Sequence, residues 1–143
     1  MFAFYQAHFD WRARALFAQR YDDLARHYSL PLPVALGGHR MLVGDASELI
    51  VHLHRHREAL VARGATALVP HIVAMDLPGC GDRIWLRWRE MTAEGLSADW
   101  SDVVYQMSGD RSQPLVTAMT YTRLMMPEFG RPSTHRRLVR AAR

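Results

Sequence analysis

Two histidines have the spacing of paired zinc ligands. His52 and His56 lie four residues apart, a spacing that places both on one face of a helix. Leu53 stands where the His-Glu-x-x-His zinc pattern has its glutamate, and Arg55 would repel a cation. We therefore interpret this run as a solvated helix face and expect no metal site.

A histidine and an aspartate share one predicted strand, Ala65–Leu77. His71 and Asp76 are five residues apart, and an odd separation in a regular strand directs two side chains to opposite faces. A His–Asp pair is therefore not expected. His71 alone could act as a base in a cavity, because the ordinary pKa of histidine is about 6.5. The alternative is a histidine that only packs against a cavity wall.

The single cysteine, Cys80, lies in a turn between Gly79 and Gly81. A lone cysteine cannot form an internal disulfide, which agrees with a reducing compartment. Arg83 is the one neighbour in sequence that could lower the pKa of its thiol. We interpret Cys80 as a turn residue without a chemical role.

The positive net charge is concentrated at the end of the chain. The net charge is +4, from 18 basic and 14 acidic side chains. Five of the arginines lie between Arg131 and Arg143, and removing them leaves 13 basic against 14 acidic residues in the rest. Since the body carries no basic stripe, nucleic acid is not an expected partner. The tail itself is read as a flexible soluble terminus, with contact to phosphates or anionic lipid as the alternative.

Length and hydropathy favour one soluble domain. The chain has 143 residues, 49% of them hydrophobic, which predicts a single domain over residues 1–130 and an Arg-rich tail over residues 131–143. No apolar run approaches the roughly 18 residues needed to span a bilayer. The first residues lack the basic region of a signal peptide, so a cytoplasmic location is expected.

Two amphipathic helices are predicted. The first covers residues 7 to 28 and ends at the proline-rich segment Leu30–Pro33. The second begins at Asp45, whose side chain is expected to cap the helix in a capping box with Glu48, and it ends at Gly64. The stripe of the first helix comprises Phe9, Ala13, Leu16, Phe17, Tyr21, Leu24 and Tyr28.

Six strands follow from the alternation and the turns. Val34–Gly37 and Arg40–Val43 predict a hairpin. A four-stranded antiparallel meander is predicted over Ala65–Leu77, Arg83–Thr92, Ala98–Ser108 and Leu115–Met125. Pro70 places the first of these at a sheet edge or bulge. Because both faces of the meander carry large apolar side chains, we expect helices on one face and part of a second copy of the protein on the other.

These elements predict an α+β domain, in which two N-terminal helices pack in the concavity of a strongly curved, mainly antiparallel sheet. The order of elements over about residues 7–127 resembles the nuclear transport factor 2-like superfamily, which includes ketosteroid isomerase and the SnoaL-like polyketide cyclases. The resemblance implies a cone-like, cystatin-like α+β barrel, open at one end, whose cavity binds apolar small molecules. It also implies a homodimer through the outer sheet face.

The resemblance also assigns roles to residues. Tyr21 stands where ketosteroid isomerase has its first-helix tyrosine, and Asp102 stands where it has a protonated aspartic acid. Burial among Trp88, Trp100 and Val104 would then raise the pKa of Asp102 and keep it neutral. The alternatives are a tyrosine at a cavity edge, and an aspartate that is paired with an arginine or faces outward.

The proton-moving carboxylate of that enzyme has no counterpart here. Its place falls in the hairpin around Ala35–Gly38, where His39 is the closest ionisable residue. The expected function is therefore binding of an apolar small molecule, with isomerase, cyclase or dehydratase chemistry carried by Asp102, Tyr21 and His71. The alternative is a non-catalytic module for a hydrophobic ligand or a protein partner. No cofactor is expected, and the expected ligand contacts are Phe17, Leu86, Trp88, Trp100 and Val104.

Overall fold

The computed structural model describes residues 1–78 and 81–124. Cys80, Met125 of the last predicted strand and the Arg131–Arg143 tail lie outside the described residues. The helices are α1 (Phe2–Phe17), α2 (Tyr21–Ala25) and α3 (Ala46–Ala62). The strands are β1 (Leu32–Leu36), β2 (His39–Val43), β3 (Ala67–Asp76), β4 (Asp82–Thr92), β5 (Gly95–Leu96), β6 (Ser101–Met107) and β7 (Val116–Arg123).

The strands form one curved sheet in the order β2-β1-β7-β6-β4-β3, with β5 paired to the end of β4. All pairs are antiparallel except β1 with β7. The hairpin, the meander and the α+β class are confirmed. The core lies between the helices and one face of the sheet, where Phe9 and Leu60 pack with Leu86 and Val103.

The first helix is shorter than the pattern predicts. A single helix over residues 7 to 28 is wrong, because α1 ends at Phe17 and Gln19 adopts a φ of 60°. The amide of Arg20 then donates to the carbonyl of Ala15 at 2.9 Å, and the amide of Gln19 donates to Leu16 at 3.1 Å. This is the Schellman arrangement that glycine usually closes. The apolar spacing continues into α2, which is why the break is not visible in the pattern.

The predicted ends of α3 are confirmed. Asp45 Oδ1 accepts from the amide of Glu48 at 2.9 Å. Glu48 Oε2 accepts from the amide of Gly44 at 3.0 Å, one residue before the amide that a capping box would use. Gly64 ends the helix with a φ of 86°.

The edge strand β3 contains a bulge that changes which side chains share a face. Pro70 lies in this edge strand, as predicted, but the register shift falls between Ile72 and Ala74. His71 pairs with Arg87 and Asp76 with Arg83. Since those partners are an even number of residues apart on β4, the expectation of opposite faces is wrong. His71 and Asp76 are on one face, about 13 Å apart along the strand.

Alternation is regular in β4 and β6. Ile84, Leu86 and Trp88 face the helices, as do Val103 and Tyr105. The residues between them face away from the core: Trp85, Arg87, Arg89, Asp102, Val104 and Gln106. No helix within residues 1–78 and 81–124 is long and apolar enough to cross a membrane.

Candidate functional site

A cavity lies between the helices and the inner face of the sheet. Its volume is about 60 Å³, whereas sites for drug-sized ligands are roughly 300–1,000 Å³. It is therefore a small site: an apolar cavity that holds benzene has about 150 Å³, so a single ring would enter only if side chains of the wall moved apart. Its walls combine aliphatic and aromatic side chains with few polar groups; they are Arg12, Ala13, Leu16, Leu24, Tyr28, Leu53, His56, Trp88, Tyr105, Met119 and Tyr121.

Arg12 is the charged residue in this wall. The side chain is buried, with 5% of the residue exposed, because it follows Phe9 by three positions and precedes Leu16 by four, within the apolar stripe of α1. Its Nε donates to His8 Nε2 at 2.8 Å, and its Nη2 donates to the His27 carbonyl at 2.7 Å. Its Nη1 is buried without a hydrogen-bond partner among the described residues.

The segment after α2 holds Arg12 in place. The amide of Val116 donates to the His27 carbonyl at 2.9 Å, and the amide of Ser29 donates to the Val116 carbonyl at 2.8 Å. Tyr28, between them, lies with its ring centroid 4.7 Å from the Arg12 guanidinium carbon, within cation–π distance. The start of β7 therefore fixes both the carbonyl and the ring that orient this guanidinium.

An aromatic pair forms the sheet side of the cavity. The indole Nε1 of Trp88 donates to the Tyr105 hydroxyl at 2.9 Å. Burial raises the pKa of Tyr105 and of Tyr121, so both phenols are protonated at neutral pH. Burial, with a smaller effect of Arg63, lowers the pKa of His56 to about 4, so this ring is neutral. Arg12 is therefore the cavity's permanent charge.

Asp102 lies on the opposite face of the sheet from this cavity. Arg87 binds it through two hydrogen bonds of 2.9 and 3.2 Å, and Trp100 Nε1 donates to it at 3.1 Å. The expectation of a raised pKa is wrong: the hydrogen bond from Arg87 lowers the pKa of Asp102. The structure has instead the alternative arrangement, an aspartate paired with an arginine and facing outward.

Two of the expected ligand contacts lie on that outer face too. Val104 alternates with inward-facing Val103 and Tyr105. The Trp100 ring is covered by the guanidinium groups of Arg87 at 4.5 Å and Arg123 at 4.1 Å. The expectation that Trp100 and Val104 line the inner cavity is therefore wrong. Strand alternation directs the Val104 side chain away from the cavity, and Trp100, which precedes β6, is held on the outer face by its contacts with Arg87 and Arg123.

The other expected contacts are divided. Trp88 lines the cavity. Leu86 is buried on the inner face but is not part of the cavity wall, and Phe17 borders a separate hollow beside Asp10 and Arg14. The expectation that Leu86 and Phe17 contact a ligand in this cavity is therefore wrong.

The remaining expected catalytic residues do not meet in the cavity. Tyr21 is the first residue of α2, beyond the helix break, and its ring packs edge-on against His54 at 5.8 Å. Burial raises its pKa, and its hydroxyl is buried without a hydrogen-bond partner in the described part of the chain. His71 is exposed on β3. The structure therefore does not bring Tyr21, His71 and Asp102 together.

The histidine run on α3 is not a fully solvated face. His52 is buried, and its Nε2 is 3.9 Å from Glu48 Oε1. His56, one turn later, lines the cavity. The interpretation as a solvated face is wrong for these two residues because they continue the inward stripe of Leu49, Leu53 and Leu60.

Sequence reasoning overlooked most of the polar residues of the cavity. The residues missed are Arg12, Tyr28, His56, Tyr105 and Tyr121. A signal for Arg12 was available, since an arginine inside the apolar stripe of a helix either extends to the surface or is buried with partners. The inward face of β6 would have indicated Tyr105 once that face was known.

A second buried polar cluster joins α1 to the sheet. Asp82 has none of its surface exposed; the hydroxyl of Tyr5 donates to its Oδ2, and Arg111 Nη2 donates to the same atom at 3.2 Å. Burial and the hydrogen bond to Asp82 raise the pKa of Tyr5 to about 12. The cluster is not part of the cavity wall, and it connects residue positions far apart in the chain.

Comparison with known proteins shows which fold this is. No family model and no curated protein sequence matches the chain. Aln2 from a Streptomyces species is similar in structure with a TM-score of 0.63 at 9% identity, over 99% of this chain and 95% of that one. A protein from Catenulispora Acidiphila in complex with S-DNPA has a TM-score of 0.59 at 12% identity, over 84% of this chain and 92% of that one. An NTF2-like protein with a cystatin-like fold from Novosphingobium aromaticivorans has a TM-score of 0.57 at 11% identity, over 89% of this chain and 80% of that one.

Proposed function

The chain has the nuclear transport factor 2-like fold, and we propose that it binds a small molecule in the cavity lined by Arg12, Trp88 and Tyr105. The observation that carries this proposal is the cavity wall: mostly apolar and aromatic, with a few polar groups directed inward, the usual composition of a ligand site. The similar structure from Catenulispora Acidiphila is a complex with S-DNPA, and it supports the proposal to the extent that a protein of similar structure holds a small molecule.

The wall favours binding over proton transfer. A general acid or base works best with a pKa near the operating pH. The pKa of His56 is lowered to about 4, the pKa of the Tyr105 phenol is raised by burial, and no carboxylate lines the described cavity. We therefore infer a ligand-binding protein of the SnoaL-like and ketosteroid isomerase-like type in which binding is the primary role.

The binding proposal is tested with phenol, a one-ring probe that is neutral at pH 7. Titration of phenol should shift the indole N–H resonance of Trp88 in ¹⁵N-labelled protein until it saturates. Ala13→Leu should abolish this shift by filling the cavity from α1, whereas Ala7→Leu, at an exposed position of the same helix, should leave it unchanged. A wild-type spectrum unchanged by phenol, or a shift that persists in Ala13→Leu, would contradict binding in this cavity.

Acid–base chemistry is the second candidate, favoured by one observation. His56 lines the cavity as a neutral imidazole, and it is the one side chain of the described wall that could serve as a base, although a pKa of about 4 makes it a weak one. It would take the role that the sequence assigned to Asp102, Tyr21 and His71, which lie outside the cavity wall. Once a turnover assay exists, loss of activity in His56→Gln with full activity in Asp102→Asn would support this assignment. The reverse pattern would return the role to Asp102.

We also propose a homodimer through the outer sheet face. The face carries an apolar depression bordered by Val73, Trp85 and Thr122, and Val73 is 53% exposed. An exposed valine beside an apolar depression is where a second copy could pack, and Arg87 and Asp102 on the same face would form the polar rim of such a contact. Val73→Arg should convert a dimer to a monomer in light scattering after size exclusion, while Leu42→Arg, at a similarly exposed apolar position on β2, should not. A wild-type monomer at micromolar concentration would contradict the dimer.

A further inference from the structure

We propose that the ligand is a small planar aromatic carboxylic acid whose carboxylate pairs with Nη1 of Arg12. The inference rests on the proposed binding function and narrows its ligand to a class. It is carried by the chemistry of a buried guanidinium in the cavity wall, together with the shape of the surrounding side chains.

The positive charge of Arg12 has no counterion within the described residues. Its two hydrogen-bond acceptors are the His27 carbonyl and the His8 ring. His8 is neutral, because burial and the neighbouring Arg12 lower its pKa to about 3. Both acceptors therefore satisfy N–H groups without balancing the charge.

Three other arginines that are partly buried are paired with carboxylates. Arg63 contacts Glu90 at 3.2 Å, and Arg111 contacts the fully buried Asp82 at 3.2 Å. On the outer face, Arg87 contacts Asp102 at 2.9 Å. Arg12 is more buried than these three arginines and, unlike them, has no such partner in residues 1–78 and 81–124. A buried charge without a partner is unfavourable, so an anion is the expected complement.

The unused donors of Arg12 belong to the cavity. Nη1 is buried and has no partner among the described residues, while Nε and Nη2 are bonded and fix the plane of the guanidinium. Arg12 is itself part of the cavity wall. A molecule in the cavity could therefore accept from Nη1 once the side chains that cover this nitrogen move aside, and no existing hydrogen bond of Arg12 would be lost. A charge-assisted hydrogen bond is the strongest contact available there.

The number of free donors on Arg12 and the size of the cavity limit the charge and the size of the acid that could bind. One free nitrogen and no second cation in the described wall match a monoanion better than a phosphate, which has more charge and more acceptor oxygens. The volume of about 60 Å³ limits the ligand to one ring at most, which would enter as side chains of the wall move apart. Tyr28, Trp88 and Tyr105 in the wall supply aromatic surface for contact with that ring.

The wild-type protein provides the first arm of the test, with benzoate and benzamide as probes of equal shape. Binding is measured through the Trp88 indole resonance at pH 7 and low salt. We expect benzoate to bind at least about ten-fold more tightly than benzamide, since the two differ in the charge presented to Arg12. Benzamide binding as tightly as benzoate would overturn the proposal without any variant.

A matched pair of variants provides the second arm. Arg12→Gln should weaken benzoate about ten-fold or more and change benzamide by less than about two-fold, with the dispersion of the amide spectrum reporting its fold. Arg26→Gln removes an exposed arginine and the same unit of charge and should change neither. If Arg12→Gln does not fold, the wild-type comparison decides alone. Equal loss of both probes in a folded Arg12→Gln would mean that Arg12 shapes the cavity and pairs with no anion.

The outcomes separate this inference from the proposed function. If phenol or benzamide shifts the Trp88 resonance and benzoate does not, the proposed carboxylic acid is wrong, while the proposed binding site in the cavity is supported. If none of the three probes shifts the Trp88 resonance, both the proposed binding site and the proposed ligand class are wrong.

Discussion

The indole N–H of Trp88 and the hydroxyl of Tyr105 form a 2.9 Å hydrogen bond between neighbouring strands of the sheet. The pair closes the sheet side of the cavity, and the Phe9 ring of α1 lies 4.8 Å from the Tyr105 ring. Tyr105 therefore connects the wall of the cavity, through Trp88, to the packing of α1, through Phe9.

Tyr105→Phe should destabilise the protein by about 1–3 kcal/mol, because it leaves a buried indole N–H without an acceptor. The free energy of unfolding in urea measures the effect. Tyr21→Phe is the matched control: the Tyr21 hydroxyl has no hydrogen-bond partner in the described part of the chain, so its removal should cost little. Equal losses in the two variants would contradict the role of the Trp88–Tyr105 bond.

The cluster of Tyr5 and Asp82 should make stability sensitive to alkaline pH. The pKa of Tyr5 is raised from 10.0 to about 12 in the fold. A group with a raised folded-state pKa contributes stability that is complete below the unfolded pKa and is lost as the pH rises through the folded pKa. We expect Tyr5→Phe to cost about 1.5–3 kcal/mol at pH 8, with the difference from wild type shrinking between pH 10 and 12. A difference that is constant over this range would contradict the coupling.

The buried ring of His8 should make stability fall on the acid side. Its pKa is lowered from 6.5 to about 3, so the unfolded chain takes up this proton first as the pH falls. The contribution is present above pH 6.5 and is lost progressively below it, by at most about 1.4 kcal/mol per pH unit. His8→Gln keeps an acceptor for Arg12 and should flatten this slope between pH 6 and 4. His71→Gln, at an exposed position, should leave the slope as it is.

The left-handed residues at the helix ends should respond in opposite directions. Gln19 has a φ of 60° without being glycine, and Gly64 has a φ of 86°. We expect Gln19→Gly to stabilise by about 0.5–1 kcal/mol and Gly64→Ala to destabilise by about 1–2 kcal/mol. Gly38→Ala has open space and no positive φ, and should be close to neutral in thermal unfolding. Destabilisation by Gln19→Gly would show that the glutamine side chain, and not the backbone, holds this turn.

The elements that could be predicted are those with a strong local signal. The cap at Asp45, the stop at Gly64 and the meander turns follow from side chains that form those structures by themselves. The break at Gln19 has no such signal, because glutamine rarely adopts that conformation and the apolar spacing runs through it. The bulge after Ile72 likewise has no residue that marks it.

The site was harder to predict than the fold because both faces of the meander are apolar. Trp85, Trp100 and Val104 look as suitable for a cavity as Trp88 and Tyr105 do, and alternation alone groups residues by face without saying which face meets the helices. The predicted site combined Trp88 from the inner face of β4 with Asp102 from the outer face of β6, and Asp102 instead pairs with Arg87 outside the cavity. The buried arginine was the better indicator.

The bulge in the edge strand β3 affects whether the protein can aggregate through its sheet edge at high concentration. An unpaired sheet margin is a template for strand addition and fibril growth. Here Pro70 lacks an amide to offer, its carbonyl accepts from Gln6 Nε2 at 3.1 Å, and the extra residue at Val73 interrupts the repeat a few positions later. A straight foreign strand could align with only part of that margin, so self-association by edge-to-edge polymerisation is opposed by the backbone itself.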